Sequence, residues 1–399
     1  MWVHFFYFAN TVITHNQVIR IIYCILSCFI FSSCGQTSGK KNIASVAAVS
    51  KKDSAFNNMT EAEINKYHGE IENYYNINLK NRGFNGSILV AKNGKILFED
   101  YKGTYNFKTG EPITEHTPFH LASISKTFTG MTVLKLWEEG RISLDDSLQK
   151  FFPKLPYPGI TVKMLLDHRS GLPNYLYFMD SIWNKKQKAT NWDVVNFMIA
   201  HKPKADASPN RIYHYCNTNF MLLALIVEII TNEPFPQYMK DSVFTPLGLK
   251  DTYVFSTADT LHYVPTYSVT RPFPMDHLDC TYGDKNVYST VRDLLQWDDA
   301  LYQNTFLQKS TLDMAFTPYS HERKSMHNYG LAWHLYFNNG DTVVYHNGKW
   351  HGSNTSFTRL VQDTATIIVL GNKLNNNIYK AKQMSYIFSG KQDVNKLEE

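Results

Sequence analysis

Ser123 and Lys126 stand three residues apart in Leu121-Ala122-Ser123-Ile124-Ser125-Lys126-Thr127-Phe128, at the head of a segment with helical spacing. A serine hydroxyl is a poor nucleophile until a base takes its proton. Residues three apart on a helix share a face, so the Lys126 amine would lie over the Ser123 hydroxyl and could be that base. A helix start also offers unpaired N–H groups and a dipole that favour a developing negative charge. The spacing alone is not distinctive, because Ser38-Gly39-Lys40-Lys41 and Ser147-Leu148-Gln149-Lys150 repeat it. The first lies among small polar residues. The second runs into Phe151-Phe152-Pro153, and that proline limits a helix there. Only Ser123 is followed by a sustained apolar face, Phe128, Met131, Leu134 and Trp137, closed by Gly140.

Two further groups could meet that serine. In Tyr215-Cys216-Asn217 an extended backbone would point Tyr215 and Asn217 the same way. A phenol beside a lysine can relay a proton, and an amide can hold a substrate carbonyl. The bare Tyr-x-Asn pattern also begins at Tyr74, Tyr302, Tyr336 and Tyr345. His346-Asn347-Gly348-Lys349 follows the apolar run Val343-Val344-Tyr345. A glycine at a strand end lets a ligand approach the backbone, whose N–H groups can meet an oxyanion. The fifteen histidines form no His-Glu-x-x-His and the cysteines no Cys-x-x-Cys, so no structural zinc or other metal is expected. Gly-x-Ser-x-Gly, which an α/β-hydrolase lipase needs, does not occur.

The elements that must position these groups are legible in outline. Thr60-Glu61-Ala62-Glu63 is a capping-box pattern for a helix from Glu61 to Leu79. Asn93-Gly94 marks a hairpin between strands at Ser87–Ala91 and Lys95–Asp100. From Thr127 to Tyr302 the chain reads as mostly helical. Helices are expected at Asn191–His201, Asn219–Thr231 and Ser289–Leu301, the last with Thr290 as a cap. Strand character returns at Tyr329–Phe337, Thr342–His346, Ser356–Val361 and Thr366–Leu370, before a closing helix at Ile378–Phe388. An early hairpin and late strands imply an α+β fold, with both ends of the chain in one antiparallel sheet and a helical insert between.

The 399 residues carry a formal charge of +5 with no long basic run, which gives no indication of nucleic acid. The aromatic share of 14% fits a packed core or a ring-lined substrate cleft. Near the start, Arg20, an apolar run from Ile21 to Phe31 and Ser32-Ser33-Cys34-Gly35 form a secretory signal over residues 1–33. Cys34 directly after small residues resembles a bacterial lipobox. That implies cleavage before Cys34, lipid on its sulfur and an exported protein held at the membrane of the cell envelope. Residues 34–58 read as a polar tether, residues 59–390 as the folded domain and residues 391–399 as a tail. Cys24 and Cys28 fall in the signal. Of the remaining pair, Cys216 and Cys280, the first lies inside the Tyr-x-Asn motif, so a disulfide is not expected.

The ordered set Ser123-x-x-Lys126, Tyr215-x-Asn217 and His346-x-Gly348 resembles the serine β-lactamase and penicillin-binding-protein superfamily, in its class C-like branch of D-aminopeptidases, D-alanyl-D-alanine carboxypeptidases and esterases. Leu144-Asp145-Asp146, Leu165 to Pro173, Pro246-Leu247-Gly248-Leu249, Tyr288 to Leu294 and Tyr329 to Trp333 look like further landmarks, so the resemblance covers about Asn85 to Asn372. It implies an antiparallel sheet flanked by helices and an acyl-enzyme on Ser123. Lys126 would be the general base and Tyr215 the partner base or proton relay, and either of the two could take the serine proton first. Asn217, His346 and Gly348 would contact substrate, and the backbone N–H groups of Ser123 and Lys349 would form the oxyanion hole. No cofactor is implied. The expected partner is a small-molecule or peptide substrate: a D-amino-acid peptide, a peptidoglycan fragment or a small ester. His346 stands where many β-lactamases have a lysine, which removes a fixed positive charge at neutral pH. The alternative from another class is a penicillin- or peptidoglycan-binding sensor without efficient turnover.

Overall fold

The computed structural model describes residues 59–338 and 340–389. The expected signal, the expected lipidation site Cys34, the whole tether and the tail lie outside the described residues. Helix α1 (Glu61–Asn78) begins at the foreseen capping box, Thr60 and Glu63 each accepting the other's backbone N–H. Strands β1 (Gly86–Lys92) and β2 (Lys95–Lys102) are joined at Asn93 (φ +51°) and Gly94 (φ +68°). Two successive positive φ values make the tight hairpin turn that suits the strand twist.

Five later strands complete the sheet: β3 (His327–Tyr329), β4 (His334–Asn338), β5 (Asp341–Trp350), β6 (Ser353–Leu360) and β7 (Ala365–Gly371). The seven-stranded order is β2-β1-β7-β6-β5-β4-β3, with every pair antiparallel. β1 pairs with β7 from Gly86↔Gly371 to Lys92↔Ala365, so the N-terminal hairpin closes onto the C-terminal strands as expected. Alternation sorts the side chains. Ile88, Val90, Ile367 and Val369 pack under α1 and the closing helical turns. Leu89, Ala91, Ile368 and Leu370 face the larger core of the insert. Both faces are covered, which is why β6 and β7 are buried along their whole length.

The insert is built around α2 (Ser125–Glu138). The expected single apolar stripe is an understatement, since every residue from Ser125 to Leu134 is buried. Its polar members are bonded: Thr127 Oγ1 donates to Ile124 O at 2.8 Å and Thr129 Oγ1 to Gly283 O at 2.8 Å. Such bonds offset the cost of burying hydroxyls. A Cβ on Gly130 would sit 2.3 Å from the Ala332 Cβ, so glycine lets α2 approach the loop between β3 and β4. Around α2 stand α3 (Asn191–His201), α4 (Asn217–Thr231) and α5 (Val291–Tyr302, capped by Thr290).

Four local expectations need correction. Tyr329–Phe337 is not one strand. Positive φ at Ala332 (+70°) and a Gly330 N–H bond to Trp333 O fold it into β3 and β4. β5 runs on through Trp350, so His346-Asn347-Gly348 lies inside a strand and not after one. The closing helix is mostly 3-10, Asn376–Met384, with a short α-helical end at Ser385–Ser389. The mostly helical middle also contains a three-stranded sheet, in which Val287–Ser289 pairs with Phe119–His120 and Tyr253–Val254. Among the described residues no helix is long and apolar enough to cross a membrane.

Candidate active site

The chain enters the site from the small central sheet. Leu121 N–H bonds to Val287 O at 2.9 Å, and Thr355 Oγ1 on β6 donates to Leu121 O at 2.8 Å. A 3-10 turn, Ala122–Ile124, then runs directly into α2. Ala122 takes a positive φ of +49°, a strained conformation for a residue with a Cβ. From Leu121 to Gly130 every residue is buried except Ser123, which keeps part of its surface open. Ser123 therefore stands in the turn before the α-helix, and the three-residue offset to Lys126 survives the change of helix type.

Lys126 is fully buried. Its Nζ lies 3.0 Å from Ser123 Oγ, 2.8 Å from Asn217 Oδ1 and 2.7 Å from Asp284 O. Burial lowers its pKa to about 8, against an opposing pull from the Asp284 carboxylate and then Cys216. Roughly a tenth of the amines are then neutral at pH 7. In that form Asn217 and Asp284 take its two protons, and the lone pair is left for the Ser123 hydroxyl.

Tyr215 sits in extended chain before α4, whose first residue is Asn217. The two side chains reach the site from different local structures, not from one extended loop as expected. Burial raises the pKa of the Tyr215 phenol more than the nearby Ser123 hydroxyl lowers it. Lys126 Nζ lies 5.0 Å from the centre of its ring. Tyr215 is thus a neutral phenol at rest. Its neighbour Cys216 is a free buried thiol whose Sγ donates to Leu172 O at 3.3 Å, and burial pushes its pKa up to about 11. Cys280 is also free and buried.

β5 forms the opposite wall. β4 pairs with it only as far as Tyr345, so among the described residues no strand takes the main-chain groups of His346–Trp350 on that side. A Cβ on Gly348 would fall 2.2 Å from Thr355 Oγ1 and 2.3 Å from Leu121 O, which shows how closely the strand meets the serine turn. Lys349, the next residue, is exposed. His346 is buried, and its Nδ1 donates to Asn347 O at 2.8 Å, which leaves Nε2 to accept from the Tyr329 hydroxyl at 3.4 Å. Burial, then His334 and Lys126, hold its pKa well below the ordinary value, so it carries no charge at neutral pH.

Behind Lys126 lies a group that motif reading missed. Asp284 presents its carbonyl to Lys126 while its carboxylate accepts from Tyr175 OH at 2.9 Å. Lys285 reaches Tyr175 OH at 2.5 Å and lies 5.0 Å from the Trp350 ring centre. A backbone carbonyl leaves no residue-type signature, so nothing in the sequence marked Asp284. The aromatic side chains of Asn174–Phe178 do not form one surface. Tyr175 is buried in this network, Phe178 stacks on Phe197 at 5.5 Å, and Tyr177 is 76% exposed.

Comparison with known proteins agrees with this geometry. The chain is 31% identical over 315 residues to penicillin-binding protein 4* of Bacillus subtilis, across 74% of this chain and 70% of the relative. It is 27% identical over 322 residues to protein Flp of Staphylococcus aureus, across 75% of this chain and 61% of that longer relative. In fold it resembles a penicillin-binding protein from Bacillus halodurans (TM-score 0.70, 22% identity, 80% of this chain and 99% of that one). A D-amino acid amidase from Ochrobactrum anthropi is also similar (TM-score 0.62, 22% identity, 78% and 91%). The architecture is the β-lactamase/transpeptidase fold. Residues 79–387 match the family model described as Beta-lactamase, and the chain belongs to that family. It is a hydrolase of the serine β-lactamase type.

Proposed function

We propose that this chain hydrolyses an amide or ester through an acyl-enzyme on Ser123, acting on D-amino-acid peptides, peptidoglycan fragments or small esters. The observation that carries the reading is the enclosed Lys126 amine, 3.0 Å from Ser123 Oγ with its pKa lowered to about 8. Neutral Lys126 takes the serine proton as Oγ bonds to the carbonyl carbon. The carbonyl oxygen gains the negative charge and is held by the N–H groups of Ser123 and Lys349. As the tetrahedral species collapses, the Tyr215 phenol gives its proton to the leaving nitrogen or oxygen and recovers one from Lys126. Water then attacks the acyl ester by the same route in reverse. Because burial leaves the Tyr215 phenol harder to ionise than Lys126, the amine is the first proton acceptor. Asn217 fixes Lys126 and meets the substrate amide.

The name of one similar protein, D-amino acid amidase, favours a D-aminoacyl group. The uncharged His346 argues against a substrate whose carboxylate needs a fixed cation at that point. The test is turnover of D-alanyl-D-alanine peptides, D-aminoacyl amides, p-nitrophenyl esters and a cephalosporin, with Ser123→Ala as control. Catalytic release of product from at least one of the first three supports the reading. A stoichiometric burst without turnover on every substrate favours the sensor. We further propose that Cys34 carries a lipid that holds the enzyme at the bacterial envelope, as Ser32-Ser33-Cys34-Gly35 after an apolar run suggests. Labelled palmitate entering the wild type but not Cys34→Ser supports this, and equal labelling opposes it.

A further inference from the structure

We infer that His168 is the positioning residue for Tyr215: its imidazole Nδ1 holds the backbone on which the phenol is carried to Ser123. This rests on the hydrolase reading above. His168 is completely buried, with a left-handed φ of +57°. Its carbonyl accepts the His214 N–H at 2.9 Å, and its Nδ1 accepts the Cys216 N–H at 3.1 Å. The two residues flanking Tyr215 are thus both fastened to one residue, and the imidazole centre lies 4.4 Å from the Tyr215 ring.

The polarity of this contact is set by a chain of donors. Leu172 N–H donates to Ser170 Oγ at 3.1 Å, and Ser170 Oγ donates to Asn219 Oδ1 at 2.6 Å. With its oxygen taken, Asn219 turns its Nδ2 to His168 Nδ1, at 3.1 Å. Nδ1 therefore receives two N–H groups and cannot itself carry a proton, so the neutral ring is the Nε2–H tautomer. Arg169 ties the start of the same loop: its carbonyl accepts Asn210 N–H at 2.8 Å, and its Nε donates to Asn210 Oδ1 at 2.7 Å. Without the Nδ1 acceptor, the buried Cys216 N–H loses its partner, and the neighbouring phenol is free to leave Ser123. A displacement of about 1 Å at a reacting group costs on the order of 100-fold in rate.

Two substitutions suit the left-handed backbone and separate the bond from the fold. His168→Gly removes the acceptor, and His168→Asn keeps an oxygen near the Nδ1 position. With p-nitrophenyl acetate, His168→Gly should lower kcat about 100-fold with KM changed less than about 3-fold, and His168→Asn should recover at least about 10-fold of the loss. In a Tyr215→Phe background His168→Gly should cost little more, because both act through one phenol. Losses that multiply, or a His168→Gly enzyme as fast as wild type, overturn the inference. Nitrogen-15 NMR of histidine-labelled wild type tests it without any substitution: the His168 ring should be the Nε2–H tautomer, and an Nδ1–H tautomer overturns it. If the hydrolase reading fails instead, wild type is no faster than Ser123→Ala, and the NMR result still decides the bond.

Discussion

At Ser123–Lys126 the amine is enclosed and meets Ser123 Oγ, Asn217 Oδ1 and Asp284 O. At Ser147–Lys150 the same spacing gives another outcome. Ser147 is exposed and precedes a four-residue helix, Leu148–Phe151, and Lys150 turns to Asp146 Oδ2 at 2.7 Å. The Asp146 carboxyl is held below its ordinary pKa by that lysine. A solvated, salt-bridged ammonium has no lone pair to offer. The lesson is that spacing brings a lysine near a serine, while burial that outweighs the pull of the nearest carboxylate makes it a base. α2 supplies that burial because it is enclosed on all sides, whereas the short helix after Ser147 lies at the surface.

The comparison can be broken most sharply at the nucleophile. Ser123→Ala should abolish labelling by a fluorophosphonate and lower turnover by at least about 10⁴-fold, while Ser147→Ala leaves both unchanged. Equal effects at the two serines would remove the distinction. Next, Lys126→Met should cost about 10³-fold in turnover and Lys150→Met nothing measurable. A retained rate in Lys126→Met, followed by steady-state kinetics, would take the base away from this lysine.

The environment of the two turns also separates them in acid. His120, His168 and His346 are buried around the Ser123 side of the molecule, and burial is the main reason each has a lowered pKa, about 4 for His120. In the unfolded chain these groups bind protons below about pH 6.5, while in the folded chain they stay neutral. Their contribution to stability is therefore complete above about pH 6.5 and is lost as the pH falls toward the folded values. The three together lose up to about 4 kcal/mol per pH unit. Urea unfolding at descending pH should show this slope, and a flat profile would mean that the rings are not held neutral. The smallest expected effect is at the wall facing the serine. Gly348→Ala forces a Cβ against Thr355 Oγ1 and Leu121 O, and should lower stability by about 1–3 kcal/mol along with activity. An unchanged melting temperature would show that β5 can retreat from the turn.

What the sequence revealed followed from where its signals are local. Thr60 with Glu63, Asn93-Gly94 and Thr290 act through neighbours in the chain, and each lies at the element end it indicated. Positions 123, 126, 215, 217 and 346–349 stood out by motif, although the local structure expected around Tyr215–Asn217 and His346–Gly348 differs from the one found. What escaped depends on distant parts of the chain. The strands at Phe119–His120 and Tyr253–Val254 are two residues long and carry no periodicity. Asp284 acts through its carbonyl, and His168 through a ring nitrogen whose role is set by Ser170 and Asn219. The bend that divides β3 from β4 arises at Gly330–Trp333, inside a run that reads as one strand.

In the proposed mechanism Lys126 serves Ser123 as a neutral amine. The pH dependence of the first-order acylation of Ser123, followed in the pre-steady state with p-nitrophenyl acetate, tests it most directly. Lowering of the Lys126 pKa means that the reactive form grows as the pH rises, so the rate should climb and level off with a midpoint at about 8. The same midpoint in Lys126→Met, or a rate in wild type that does not change with pH around 8, would contradict the account.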